Sequence, residues 1–348
     1  MSVVVSRTKP AGPADGIDHP ERLPKGAKKA NFPGFIPPML ATPRSSPPTG
    51  TNWLHEIKFD GYRLQAHIRS DRVKLLTRTG LDWTARFGVH LAGALADLPV
   101  EEAVIDGEVV AEGQGGAPNF SALQDALSTG RTDRLIFYAF DLLYLDGYDL
   151  RPALLIERKT VLAALIAASG MVRVSEHFSG DGKQVFRHAC RLGLEGVVSK
   201  LDAPYRSGRS KGWIKSKCFN RQEFVVAGYV PSTVSNTAIG SLVLGYYDDG
   251  KLIHAGRVGT GFSHKVADEL FRRLDAMTIP KSPFANKLSA LDARRVRFVR
   301  PELVAEVEFR TWTADGLIRH STFRGLREDK LAGDVVLEST APSKAGSV

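Results

Sequence analysis

The sequence predicts an α+β protein, an antiparallel-sheet domain followed by a small β-barrel. Three observations carry this. At 348 residues and 43% apolar content, the chain suits about two domains with real cores. Strand and helix signals are mixed but do not alternate strictly, as a doubly wound parallel sheet would require. After Asn220 the text becomes strand-rich, with short runs and one amphipathic helix, which suits a barrel of OB type. The expected organisation is a flexible tail over 1–30, a first domain over 31–220, the barrel domain over 221–340 and a short tail over 341–348.

In chain order, residues 1–30 are rich in proline, glycine and charge, a tail signature. "FIPPMLATPRSSPPTG", Phe35 to Gly50, reads as a packed but irregular lead-in. Strands are expected over Leu54–Arg69, Val73–Thr77, Ala103–Ala111, Leu135–Leu145, Arg173–Glu176, Gly196–Lys200 and Gly212–Cys218. Helices are expected over Trp83–Ala96, Asn119–Leu127, Pro152–Ala168 and Gly182–Leu192. In the barrel, "EFVVAGYV" precedes a hairpin signal at Asp248-Asp249-Gly250. "HKVADELFRRLDAM" places Val266, Leu270, Phe271, Leu274 and Met277 on one helical face, and "LVAEVEFR" is a further strand.

One stretch departs from simple strand reading. In "HEIKFDGYRLQAHI", His55 to Ile68, the apolar residues fall on odd positions before Gly61 and on even positions after it. Side chains alternate faces along a strand, so the phase change needs a turn or bulge at Asp60-Gly61. Lys58 then stands near a strand end, on the side of Glu56.

Net charge is +9 and the pI is near 9.5, which favours a polyanionic partner. Arg206, Arg209, Lys211, Lys215, Lys217 and Arg221 form one basic strip without an acid, and "RRVRFVR" at Arg294–Arg300 forms another. No apolar run reaches the roughly 18 residues of a membrane span, and no signal-peptide stretch opens the chain. The two cysteines, Cys190 and Cys218, make neither a disulfide framework nor a zinc site, so a reducing cytoplasm is the simplest home.

Glycine-rich nucleotide motifs of the P-loop and dinucleotide-fold kinds are absent. Instead, charges punctuate apolar strands: "AVIDGEVVA" carries Glu108, "LEGVVSK" carries Glu195, and "GWIKSKC" puts Lys215 and Lys217 two apart, on one strand face. Charged groups enter apolar strands only when they have partners. Lysines converging on a phosphate, and carboxylates on a divalent cation that bridges phosphates, meet that condition.

"EIKFDGYR" resembles the K-x-D-G-x-R motif of the covalent nucleotidyltransferases: ATP-dependent DNA ligases, RNA ligases and capping enzymes. "LTRTG", "DGEVV", "FYAFDLLYLDG", "EGVVSK" and "WIKSKC" follow in family order. "RHSTFRGLREDK", Arg319–Lys330, resembles the closing motif of the DNA ligases. With "PPMLATP" and "RQEFVVAGY", the whole is most similar to the ligase part of bacterial DNA ligase D, over about Phe35 to Leu337. The resemblance implies an ATP-grasp-like nucleotidyltransferase domain followed by an OB-fold barrel.

It also implies roles. Lys58 would be the nucleophile that takes AMP from ATP. Glu56 and Ile57 would border the nucleotide, with a plain salt bridge as the alternative for Glu56. Arg63 would hold the nucleotide and the 5′-phosphate, and Arg78 the ribose or phosphate. Glu108 and Glu195 would serve a Mg²⁺ or Mn²⁺ site, Glu108 also lying near the ribose. Phe140 would stack on adenine, with a core position as the alternative. Lys215 and Lys217 would neutralise the α-phosphate and help depress the pKa of Lys58. Arg324, Arg327 and Lys330 would orient the pyrophosphate. The implied activity is ATP-dependent sealing of nicked or broken double-stranded DNA in repair or end joining. The chain would act as a cytoplasmic, nucleoid-associated monomer, with a Ku-type end-binding protein as partner and no membrane. It would be a minimal two-domain ligase without an N-terminal clamping domain. An RNA ligase, a capping-type enzyme and a non-catalytic DNA-end scaffold are the alternatives.

Overall fold

The chain changes sheets at Asp60-Gly61. Strand Trp53–Ile57 lies in a five-stranded sheet, between His177–Ser179 and Gly196–Leu201, followed outward by Gly208–Lys217 and Met39–Pro43. Strand Tyr62–Arg69 lies in a different, eight-stranded sheet, between Arg72–Thr77 and Glu102–Ala111, with Leu135–Leu145 beyond. The phase change in the sequence is therefore a crossover between two sheets rather than a bulge within one strand. Gly61 is required there, because a Cβ would stand 2.0 Å from the Val109 carbonyl oxygen.

These statements come from a computed structural model that describes residues 3–4, 23–70, 72–112, 118–166, 170–235 and 237–337. It divides into two units, Met1–Cys218 and Phe219–Val348.

In the first unit, Tyr62, Leu64, Ala66 and Ile68 point from the eight-stranded sheet into a core shared with Phe87, Leu91, Leu95, Leu123 and Leu162. Helices Thr84–Ala96, Phe120–Thr129 and Leu155–Leu165 supply those last five. Each large apolar side chain removed from water contributes about 1.5–3 kcal/mol. Asn119 caps the second helix by accepting from Ala122 N–H at 3.0 Å. The first helix is interrupted at Gly88 (φ 77°), where a Cβ would stand 2.2 Å from Thr132 Oγ1.

Most strand pairs are antiparallel, as expected. Among the described strands two are parallel: Val172–Val174 on Leu135–Leu145, and Met39–Pro43 on Gly208–Lys217. The second corrects the reading of the lead-in as irregular. The tail reading also needs correction at its end: Leu23 and Ala27 pack on the core, and Lys28–Lys29 pair with Tyr148–Asp149. Residues 5–22 and the tail at 341–348 lie outside the described residues. Cys190 and Cys218 are disulfide-bonded to each other, against the expectation that they make no disulfide framework.

The second unit is built on a six-stranded antiparallel sheet, in the order Lys251–Val258, Ile239–Asp248, Asn220–Pro231, Arg297–Phe309 and Thr278–Ile279, with Thr322–Leu326 also on Arg297–Phe309. The expected hairpin is present. Asp249 and Gly250 both take left-handed backbone (φ 46° and 74°), as a two-residue type I′ turn demands. Helix His264–Asp275, capped by Ser263, packs Ala267, Leu270 and Leu274 into this core. Pairing among the described strands gives an open order rather than a closed ring. No described helix is long and apolar enough to cross a membrane.

Candidate active site

A cavity of about 130 Å³ lies within the first unit, lined from both sheets. The five-stranded sheet and its strand ends give Ala41, Glu56, Ile57, Lys58, Phe59, Val198, Lys200, Trp213 and Lys215. The eight-stranded sheet gives Arg63, Glu108 and Phe140. The sequence-selected Glu56, Ile57, Lys58, Arg63, Glu108, Phe140 and Lys215 are thus brought together.

Lys58 follows the last residue of its strand. Its backbone N–H donates to the Gly196 carbonyl at 2.9 Å, which ties the strand end to the neighbouring strand. Its Nζ donates to Glu195 Oε2 at 2.6 Å, and the carboxylate is almost fully buried. Burial opposes charge on this amine, but Glu195 outweighs it, assisted by Glu108 and Asp60. The pKa is pushed well above the ordinary lysine range. This reverses the expected depression: the Lys58 amine is held as an ammonium by a carboxylate.

Glu56 is an ion-pair hub. Oε1 accepts from Lys159 Nζ at 2.9 Å, and Oε2 accepts from Lys200 Nζ at 2.9 Å and from the Ser175 hydroxyl at 2.8 Å. Burial alone would raise its pKa, but Lys200 and Lys159 hold it below the carboxylate norm. Burial pushes Lys200 down to about 8, with the Lys159 charge adding to it and Glu56 resisting. The Lys200 ammonium lies 4.1 Å from the Phe140 ring centroid and 4.4 Å from that of Trp213. Sequence reading missed both lysines. Lys200 was visible as the final residue of "EGVVSK", in phase with Val198, whereas nothing local marks Lys159 on helix Leu155–Leu165.

Arg63 is locked in a fork. Nε and one terminal nitrogen donate to Asp106 at 2.9 and 2.7 Å, and the other donates to the Met39 carbonyl at 2.7 Å. Its guanidinium lies 5.3 Å from the ring centroids of both Phe140 and Trp213. Burial works against its charge, yet Asp106 raises its pKa. Phe140 therefore contacts two cations while lining the cavity.

The remaining sequence-selected residues do not line this cavity. Lys217 pairs in register with Gly196, and Arg78 follows the strand Arg72–Thr77. Arg324, Arg327 and Lys330 belong to the second unit and hold carboxylates there. Arg324 meets Glu308 at 2.8 Å, Arg327 grips Asp329 through two 2.9 Å bonds, and Lys330 meets Glu223 at 2.6 Å.

Among the described residues, no group of three or more His, Cys, Asp or Glu side chains could hold a metal alone. Glu108 and Glu195 both act on the Lys58 amine. Two carboxylates acting on this amine are oxygen donors of the kind a hard divalent cation takes.

Comparison with known proteins follows the same division. The description "ATP dependent DNA ligase domain" matches residues 38–217, and "ATP dependent DNA ligase C terminal region" matches residues 235–330. The chain is 41% identical over 92% of its length to the "Multifunctional non-homologous end joining protein LigD" of Pseudomonas aeruginosa, covering 39% of that protein. It is 38% identical over 92% of its length to the protein of that name from Mycolicibacterium smegmatis, covering 42% of it. The chain thus spans about two fifths of the length of these relatives. Among solved structures, "mycobacterial DNA ligase D complexed with ATP and MES" matches with 38% identity and a TM-score of 0.64, over 86% of this chain and 97% of that one. The nucleotidyltransferase domain followed by an OB-fold domain is therefore the architecture of the chain, and with the first family description spanning more than half of it, the protein belongs to the ATP-dependent DNA ligases.

Proposed function

We propose that this chain is an ATP-dependent DNA ligase acting through a lysyl-AMP. The observation that supports it is Lys58: an amine presented at a strand end into a cavity that also holds Lys215, Lys200 and Glu108, with Glu195 at 2.6 Å. Attack requires a neutral amine, so the Lys58 ammonium must first release to solvent the proton that its ion pair with Glu195 retains. The Lys58 nitrogen then bonds the α-phosphorus of ATP and the bond to the pyrophosphate oxygen breaks. Lys215 compensates the phosphate charge, joined by Lys217, and the Glu56–Lys200 pair borders the base with Phe140. AMP passes to a 5′-phosphate on DNA, and the 3′-hydroxyl displaces it to close the backbone. Glu108 and Glu195 would hold Mg²⁺ or Mn²⁺, which neutralises phosphate oxygens when bound. Arg324, Arg327 and Lys330 are assigned to the pyrophosphate, and Arg78 to the ribose or phosphate.

The substrate in this reading is nicked or broken double-stranded DNA, in repair or end joining as the relatives' names suggest. It includes a Ku-type partner, a monomeric state and a cytoplasmic, nucleoid-associated location. The test is the intact mass after incubation with ATP and Mg²⁺. One covalent AMP is expected in the wild type and none in Lys58→Ala. Label transfer from GTP but not ATP would sink the reading.

A further inference from the structure

A second concave surface lies along the same strand that leads out of the active site. Strand Tyr62–Arg69 places Arg63, Gln65, His67 and Arg69 on one face, and Arg63 lines the catalytic cavity. The far end of that face opens into a groove of about 640 Å³, whose lining includes Phe32, Phe35, His67, Arg69, Arg72 and Lys74. Arg69, Arg72 and Lys74 are all exposed. Arg72 and Lys74 reach this side because Val73 and Leu75, between and beyond them, are fully buried in the core.

The opposite wall is the lead-in, held rigidly. Gln65 accepts from Ile36 N–H at 3.0 Å and donates back to its carbonyl at 2.9 Å. The Phe32 ring makes edge contacts with His67 and Tyr144, and the Arg69 guanidinium lies 4.8 Å from its centroid. The aromatic surface is thus spent on packing, which leaves the cations as the recognition elements. His67 adds no charge, since burial and the nearby Lys74 push its pKa to about 4. Asp82, an acid in the lining, is turned to the helix start, where it accepts from Thr84 N–H at 3.0 Å. Arg69 pairs with Glu102 at 3.0 Å, but a pair of this kind at the surface contributes little and yields readily to a phosphate.

From Arg63 to Arg69 the strand advances six residues, or about 20 Å at 3.4 Å per residue. Phosphates along one strand of duplex DNA advance about 3.4 Å along the axis each. We propose that this groove holds the phosphodiester backbone of one arm of the DNA substrate, about six base steps from the bond being sealed. The assignment rests on the ligase reading and adds to it a place and a distance. Recognition would be independent of sequence, because only backbone charge is matched.

The test uses the double variant Arg72→Ala/Lys74→Ala, both positions being exposed so that the core is untouched. Lysyl-AMP formation should equal that of the wild type. Nick sealing on a substrate with long arms should show a KM for DNA raised about tenfold at physiological salt, with the salt slope reduced by about two contacts. The charge-preserving Arg72→Lys/Lys74→Arg variant should restore it. Trimming one arm, capped by a hairpin, to about four base pairs should abolish the difference between variant and wild type, while trimming the other arm should leave it. A double variant with wild-type KM, or a defect indifferent to either trimming, overturns the groove assignment. A wild type that forms no lysyl-AMP overturns the underlying ligase reading instead, so the two failures are distinct.

Discussion

The Nζ of Lys58 and the Oε2 of Glu195 are 2.6 Å apart, and this contact is the strongest influence raising the pKa of the amine. Replacing Glu195 with Gln should remove the main force that raises the Lys58 pKa. In the absence of nucleotide, the reactivity of Lys58 toward an amine-directed reagent, read by peptide mass mapping from pH 7 to 11, should then rise. Reactivity equal to that of the wild type across this range would mean that Glu195 does not control the amine. Because this measurement omits metal and ATP, it isolates the ion pair from any effect on a cation.

Glu56 neutralises two buried lysines at once, so its loss should cost more than the loss of either lysine. Glu56→Ala leaves Lys159 and Lys200 unpaired and should lower stability by about 3–5 kcal/mol. Lys159→Met leaves Glu56 with Lys200 and Ser175 and should cost less. Urea denaturation of the two variants checks the order, and equal losses would contradict the hub.

Lys200 gives an alkaline limit that is not unfolding. Its pKa in the fold is about 8, against 10.5 for a free lysine. Between those values the unfolded chain binds the extra proton, so this group makes the fold more stable as pH rises through that window. The cavity nevertheless loses a cation above about pH 8. The KM for ATP in self-adenylation should therefore rise between pH 7.5 and 9 while the melting temperature holds, tested over about this range. Lys200→Met should raise KM throughout and flatten the profile; a variant with the wild-type slope would remove Lys200 from the explanation.

The bond between Cys190 and Cys218 closes a loop with a sequence separation of 28. Loop-closure entropy puts its stabilisation at about 3.6 kcal/mol. Cys190→Ser and dithiothreitol should each lower the unfolding midpoint to a similar extent, and the reductant should do nothing further to the variant. A reductant-insensitive midpoint in the wild type would show that the link contributes no stability.

Much of the framework was legible before any coordinates. The strand Leu135–Leu145 was readable to the residue, because a long aromatic and aliphatic run bounded by Asp146-Gly147 has few alternatives. The hairpin at Asp249-Gly250 was readable because few residues accept φ > 0. The cavity-lining cluster was reached through ordered motifs, which name residues but not their partners. Period two tells which face a residue takes, not which sheet it joins, so Asp60-Gly61 was read as a break within one strand. The ion pairs of Glu56 with Lys159 and of Arg63 with Asp106 join positions 103 and 43 residues apart, and no local pattern carries such pairing. The same blindness hid the sign of the Lys58 shift. Nearby lysines were visible as text, but the closer Glu195 contact is a product of sheet pairing.

The crossover at Asp60-Gly61 also fixes when the chemistry can exist. The strand before it completes its pairing only with Gly196–Leu201, far downstream, whereas the strand after it pairs with its immediate successor Arg72–Thr77. Closing distant loops is slow relative to closing adjacent hairpins. The eight-stranded sheet can therefore begin to form early while Lys58 still dangles from its edge. During synthesis, which proceeds from the N-terminus at roughly 5–20 residues per second, the amine stays without its carboxylate until the segment carrying Glu195 has emerged. A ribosome-bound chain ending before that segment carries Lys58 without the carboxylate that contributes most to raising its pKa.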